Sequence, residues 1–184
     1  MNRQEKVIYL IRHCEAKGQE PEAALTNNGL MQAKELAQFF LDKPINCIIS
    51  SPYTRALNSI KPLAEQLGRT IQVDDRLSER ILCKAPNENW LEMLKATFAD
   101  LELTYEGGES SKDAMNRGIH VIKEYLQKDA EHIAIVTHGN LMSLILHSFD
   151  QRFGFNEWRQ LTNPDVYKLT VLGHSVYVER IWEA

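Results

Sequence analysis

Two hydrophobic spacings alternate along the chain. Short, unbroken apolar runs rich in β-branched side chains occur at residues 7–11, 47–49 and 133–136. Runs of that length without polar alternation read as strands covered on both faces, as in a parallel sheet. Strands are also predicted at 70–73, 167–172 and 175–181, the last two joined by a Gly173-His174 turn into a closing hairpin. Elsewhere the spacing changes to three and four residues. Leu30, Ala33, Leu36, Ala37, Phe40 and Leu41 form one stripe, and Ala56, Ile60, Leu63, Ala64 and Leu67 a second. Met115, Ile119, Ile122, Tyr125 and Leu126 form a third, and each stripe predicts a helix with that face in the core. Strands alternating with helices predict an α/β fold, a three-layer sandwich in which a mainly parallel central sheet is flanked by helices. The 184 residues suit a single domain, 1–184, and no repeat, low-complexity tract or linker divides them.

The polar residues that end three of the runs point from fold to chemistry. Arg12 and His13 follow the first run, and Thr137-His138-Gly139 follows the run at 133–136. In open α/β sheets ligands bind outside the carboxyl ends of the strands, so two histidines are expected at one rim. A lone histidine after a strand is ordinarily a satisfied polar residue; two at one rim are not so easily dismissed. The run at 47–49 leads into Ser50-Ser51-Pro52-Tyr53-Thr54-Arg55. Ser51 is a favoured N-cap and Pro52 a favoured first helical residue, which predicts a helix start there with Arg55 in its first turn. A cation at that end of the macrodipole is unfavourable unless an anion lies between them.

In order along the chain stand Arg12-His13, Leu25-Thr26-Asn27-Asn28-Gly29 with Gln32-Ala33, Ser51-Pro52 to Arg55-Ala56, Leu77-Ser78-Glu79-Arg80, Gly108-Glu109-Ser110 and Val136-Thr137-His138-Gly139. Together, over residues 6–145, they resemble the histidine phosphatase superfamily, the phosphoglycerate mutase-like enzymes. Each motif alone is weak, but six in one order are specific. The resemblance implies a phosphoglycerate mutase-like sandwich and a phosphoric monoester hydrolase that forms a phosphohistidine at His13. It implies that Arg12, Arg55 and His138 hold the phosphate, that Glu79 is the proton donor, and that a variable helical cap covers the site at 81–107.

The residue types suit that chemistry. A neutral imidazole is a good nucleophile for phosphorus, and a covalent intermediate divides one hard displacement into two. Charge on the transferring oxygens calls for fixed cations, and the planar fork of arginine meets a phosphate bidentately. Backbone amides at Gly139 and Asn140, opening a helix, would add an anion site. Glu79 would protonate the leaving oxygen and then activate water. Glu109 and Ser110 read as structural, since Ser110-Ser111-Lys112-Asp113 looks like a capping-box variant. Three positions depart from the family pattern: Cys14 stands where glycine is frequent, Gln19 where asparagine often contacts phosphate, and Ala16 where a hydroxyl is common. Gln19 keeps the amide and is expected to bind substrate.

Composition narrows the partners. The net charge is −4 and there is no basic run, which leaves nucleic-acid binding without its usual Lys/Arg stripe. The early apolar run is too short for a signal sequence or a membrane span, so a soluble, cytoplasmic protein is expected. Cys14, Cys47 and Cys83 have no paired metal-ligand spacing and fit a reducing compartment. No metal and no cofactor are expected, and the expected partner is a small phosphorylated metabolite. The sequence does not specify that metabolite or an oligomeric state. In the cap, Trp90, Met93 and Phe98 read first as packing residues and second as the lining for an apolar alcohol, while Lys84 and Lys95 read as solvated. A cofactor-dependent phosphoglycerate mutase and a phosphohistidine protein phosphatase are the alternatives. The loop from His13 to Leu25 is short for the first, and the cap and Glu79 are superfluous for the second.

Overall fold

A computed structural model describes residues 5–183. Six strands, β1 (Lys6–Arg12), β2 (Cys47–Ser50), β3 (Ile71–Val73), β4 (His132–Thr137), β5 (Asp165–Leu172) and β6 (Ser175–Arg180), form one sheet in the order β3-β2-β4-β1-β5-β6. The first four are mutually parallel, while β5 runs antiparallel to β1 and pairs with β6 as the expected hairpin. The helices are α1 (Asn27–Phe39), α2 (Thr54–Leu67), α3 (Trp90–Ala99), α4 (Ser111–Leu126), α5 (Gly139–Phe149) and α6 (Phe155–Arg159).

Strand β1 shows why its run is continuous. Ile8 and Leu10 belong to a core shared with α4 and α5, whereas Val7, Tyr9 and Ile11 belong to a second core shared with α1 and α2. Both faces are covered, and each buried aliphatic side chain contributes about 1.5–3 kcal/mol against exposure.

Two expectations about the helices need correction. Helix α2 begins at Thr54 with Tyr53 as the N-cap, not at Ser51 and Pro52. The Ser51 hydroxyl bonds instead to His138 and to the amide of Tyr53, so residues 51–53 cross the site before the helix starts. Leu30 and Leu41 are half exposed, at 50% and 51%. The buried face of α1 is Gly29, Ala33, Leu36 and Ala37; Leu30 lies off that face, and Leu41 lies in the turn beyond the helix end.

The segment 81–107 contains one helix, α3, on which Trp90 is 48% exposed and Phe98 is partly buried against the core. Trp90 meets Trp158 at 6.3 Å and Phe98 meets Phe155 at 6.2 Å between ring centroids, which joins α3 to α6.

Candidate active site

The parallel register aligns the strand ends. Arg12 pairs with Thr137 and Ser50 with Val136, and beyond them the His13 amide donates to the Thr137 carbonyl and the Ser51 amide to the Val136 carbonyl. His13, Ser51 and His138 are therefore the first residues past three adjacent strands. The two imidazoles lie 5.1 Å apart between ring centroids, and Tyr53 stacks edgewise on His138 at 4.8 Å.

The His13 ring has a defined tautomer. Its Nδ1 is 2.6 Å from the Cys14 carbonyl, which can only accept, so the proton is on Nδ1 and Nε2 carries the lone pair. Arg55 Nε donates to that Nε2 at 3.2 Å. Burial, reinforced by the nearby Arg55 and Arg12 charges and opposed by the Cys14 carbonyl, lowers the His13 pKa from 6.5 to about 3. The ring is neutral at physiological pH. His138 is pushed down in the same direction, chiefly by burial and then by His13 and the arginines.

Each arginine is braced by backbone carbonyls. Arg55 Nη1 donates to Gln19 and Glu20 (3.1 and 2.8 Å), and Arg12 Nη1 to Leu161 and Thr162 (3.0 and 3.3 Å). Burial lowers the pKa of both from the usual guanidinium range, and an arginine stays a cation in a protein. Gly139 lies so close to Arg12 that a Cβ there would stand 3.0 Å from its Nε. Four buried side-chain nitrogens at and beside this rim have no protein partner among the described residues: Arg12 Nε, His138 Nδ1, Asn140 Nδ2 and Arg80 Nη2. The Ser51 hydroxyl accepts from the Tyr53 amide and shares a hydrogen bond of 2.7 Å with His138 Nε2. The site thus presents buried donors that nothing in the protein satisfies, the condition an anion would relieve.

Glu79 is held differently from expectation. Its carboxylate accepts from the amides of Asn140 (3.0 Å), Leu141 (2.9 Å) and Arg80 (2.8 Å). The helix N-terminus assigned to phosphate through Gly139 and Asn140 is therefore partly occupied by Glu79, a favourable placement of negative charge on the macrodipole. Gln19 is exposed, and its contact with the site is through its main-chain carbonyl to Arg55 rather than its amide. The Cys14 thiol is pushed up to about 12, mainly by burial, so it packs as a small apolar group.

His13, Arg12, Arg55, His138, Gly139 and Glu79 are brought together, while Lys84 and Lys95 are exposed. Several members of the site carry no sequence signal of their own. Ser51 was read as a cap. Ser59, which accepts from the Cys14 amide at 2.8 Å, and Asn163, which donates to the His13 carbonyl at 2.7 Å, lie 45 and 150 residues from their partners. Among the described residues, no three His, Cys, Asp or Glu side chains converge as a metal ion would require. No helix there is long and apolar enough to cross a membrane.

The sequence pattern of the histidine phosphatase superfamily (branch 1) matches residues 8–182, and the chain belongs to that superfamily. It is accordingly a phosphatase with a phosphoglycerate mutase-like fold. A protein described as "Putative phosphoserine phosphatase 2" of Hydrogenobacter thermophilus is 27% identical over 157 residues, 77% of each chain. Among solved structures, Bacillus stearothermophilus YhfR superposes with a TM-score of 0.79 at 19% identity, over 97% of this chain and 98% of that one. A mycobacterial glucosyl-3-phosphoglycerate phosphatase gives 0.75 at 21% (98% and 100%), and a phosphoglycerate mutase of Bacillus anthracis 0.77 at 15% (98% and 94%).

Proposed function

We propose that the protein hydrolyses small phosphate monoesters through a covalent phosphohistidine at His13, without a metal or organic cofactor. The observation that carries this reading is the His13 ring: neutral, with its proton held on Nδ1 by the Cys14 carbonyl and its lone pair on Nε2 beside Arg55. In the first step Nε2 attacks phosphorus and the bond to the alcohol oxygen breaks. The departing oxygen takes its proton from the Glu79 carboxyl, and the carboxylate left by this step accepts from the three backbone amides of Arg80, Asn140 and Leu141. The positive charge gained by the phosphorylated ring is stabilised by the Cys14 carbonyl. Arg12, Arg55 and His138 hold the transferring oxygens. In the second step Glu79 takes a proton from water, the hydroxide attacks phosphorus, the P–N bond breaks, and inorganic phosphate leaves with the His13 lone pair restored.

The substrates named for two of the similar proteins, phosphoserine and glucosyl-3-phosphoglycerate, are both small metabolites phosphorylated on an alcohol. That supports an alkyl ester as substrate and gives a proton donor a purpose. The three free cysteines favour a reducing, cytoplasmic setting. We expect a panel of phosphorylated metabolites, assayed for inorganic phosphate in excess chelator, to reveal at least one alkyl ester hydrolysed efficiently. Conversion of 3-phosphoglycerate to its isomer with no phosphate released would favour a mutase instead, and loss of all turnover in chelator would overturn the metal-independent reading.

A further inference from the structure

Glu79 stands on a short segment between the one-turn helix at Asp75–Leu77 and the residues leading to α3, and three successive carbonyls ahead of it are held by side chains. Arg117, on α4, donates Nη1 to the carbonyls of Arg76 (2.6 Å) and Ser78 (2.8 Å). Thr137, the residue before His138, donates its hydroxyl to the Leu77 carbonyl at 2.8 Å. The other edge of the Arg117 fork is taken by Glu109, with Nε to Oε1 at 2.7 Å and Nη2 to Oε2 at 2.9 Å. Glu109 is in turn joined by its main chain to the far side of the same segment, its amide donating to Ile81 and its carbonyl accepting from Arg80 Nε at 2.9 Å. Gly108 allows that approach, since a Cβ there would meet the Leu82 carbonyl at 2.1 Å.

We propose that Glu109 and Arg117 are positioning residues that hold the Glu79 carboxyl at the leaving oxygen of the substrate. The proposal rests on the reading of Glu79 as proton donor. Arg117 uses Nε and both terminal nitrogens for four acceptors, two of them the carboxylate oxygens of Glu109. A bidentate carboxylate is the partner that fixes a guanidinium in plane and in direction. With the fork fixed, the carbonyls on either side of Leu77 are fixed, and the chain enters Glu79 along one path. Neither residue bonds to His13, Arg12, Arg55 or His138, and Arg117 reaches His138 only through its charge, which Glu109→Gln and Arg117→Lys keep, so loss of the clasp in those variants should spare the phosphate cradle and disturb proton delivery. Proton transfer tolerates little misplacement, and a displacement of about 1 Å costs on the order of a hundredfold.

The test compares kcat/KM for β-glycerophosphate, whose alkoxide needs a proton, with that for p-nitrophenyl phosphate, whose phenolate hardly does. This ratio of constants reports the step that phosphorylates His13 for both esters. Glu109→Gln, Arg117→Lys and Arg117→Ala are each expected to lose about ten- to a hundredfold on the alkyl ester and less than about threefold on the aryl ester. Retained aryl activity also certifies the fold of each variant, and Glu109→Gln, nearly isosteric, remains informative if Arg117→Ala does not fold. Combined with Glu79→Gln, either change should add little further loss, because the group it positions is already gone. Equal losses on the two esters, or full additivity with Glu79→Gln, would overturn the clasp. If Glu79→Gln itself shows no preference for the alkyl ester, the proton-donor reading falls first and the clasp with it. A selective Glu79→Gln with non-selective Arg117→Lys and Glu109→Gln would remove the clasp alone.

Discussion

Exchanging Arg55 for lysine would keep a cation beside His13 but could not reproduce three directed contacts, one to His13 Nε2 and two to the carbonyls of Gln19 and Glu20. Arg12→Lys likewise loses the fork braced by Leu161 and Thr162. If both arginines stabilise the transferring phosphoryl group, each substitution should lower kcat/KM for p-nitrophenyl phosphate by roughly 10²–10³-fold. Unchanged efficiency in both variants would contradict that role. Gly139→Ala is expected to act through the same group, because its Cβ would press on the Arg12 guanidinium at 3.0–3.1 Å. Its signature is a fall in phosphate affinity with thermal stability little changed. At this scale most of the site was legible, because Arg12, His13 and His138 close apolar runs and Glu79 falls within a recognisable motif. Arg117 was not, since an arginine on a helix surface reads as solvated until the carbonyls it serves are known. Ser51 was misread because a serine before a proline is as good a cap as it is a hydroxyl partner for an imidazole.

Among the elements, α5 depends on a cap from a distant residue. Its N-terminal amides at Asn140 and Leu141 are satisfied by Glu79 rather than by the local N-cap, since His138 makes no side-chain cap bond. Glu79→Ala should therefore cost stability as well as activity, about 0.5–2 kcal/mol in denaturant unfolding, with Glu79→Gln costing less. An equal stability for the alanine variant and the parent would show that water caps the helix adequately. Helices α4 and α5 also meet closely at Gly118, where a Cβ would stand 2.7 Å from Ile145 Cδ1; Gly118→Ala is expected to cost about 1–3 kcal/mol by overpacking. Strands β1, β2 and β4 were legible because unbroken apolar runs of this length occur where both faces are covered. The start of α2 and the outer edge of the α1 stripe were not. Local capping preferences cannot register that Ser51 is needed across the sheet, nor spacing alone that the buried arc of α1 leaves out Leu30 and that the helix ends before Leu41.

For the whole molecule, folding keeps two imidazoles neutral. The folded pKa of His13 is lowered to about 3 and that of His138 is also well below 6.5, both mainly by burial. As pH falls, the unfolded chain takes up these protons first, so stability present above about pH 6.5 is lost progressively toward pH 3. The slope contributed is at most about 1.4 kcal/mol per pH unit for each ring. Thermal unfolding between pH 7 and pH 4.5 should show Tm falling, and His13→Asn should flatten the fall; an identical slope in that variant would mean that the ring is not held neutral by the fold. The same neutrality underlies the central claim, that His13 Nε2 is the nucleophile. The most direct test is to quench the enzyme in alkali during turnover of an aryl phosphate, in excess chelator, and to locate the bound phosphate by mass spectrometry. The account predicts one phosphoryl group on His13, bonded to Nε2, stable in alkali and lost in acid, and absent from His13→Ala. Phosphate on any other residue, or steady turnover in His13→Ala, would contradict it.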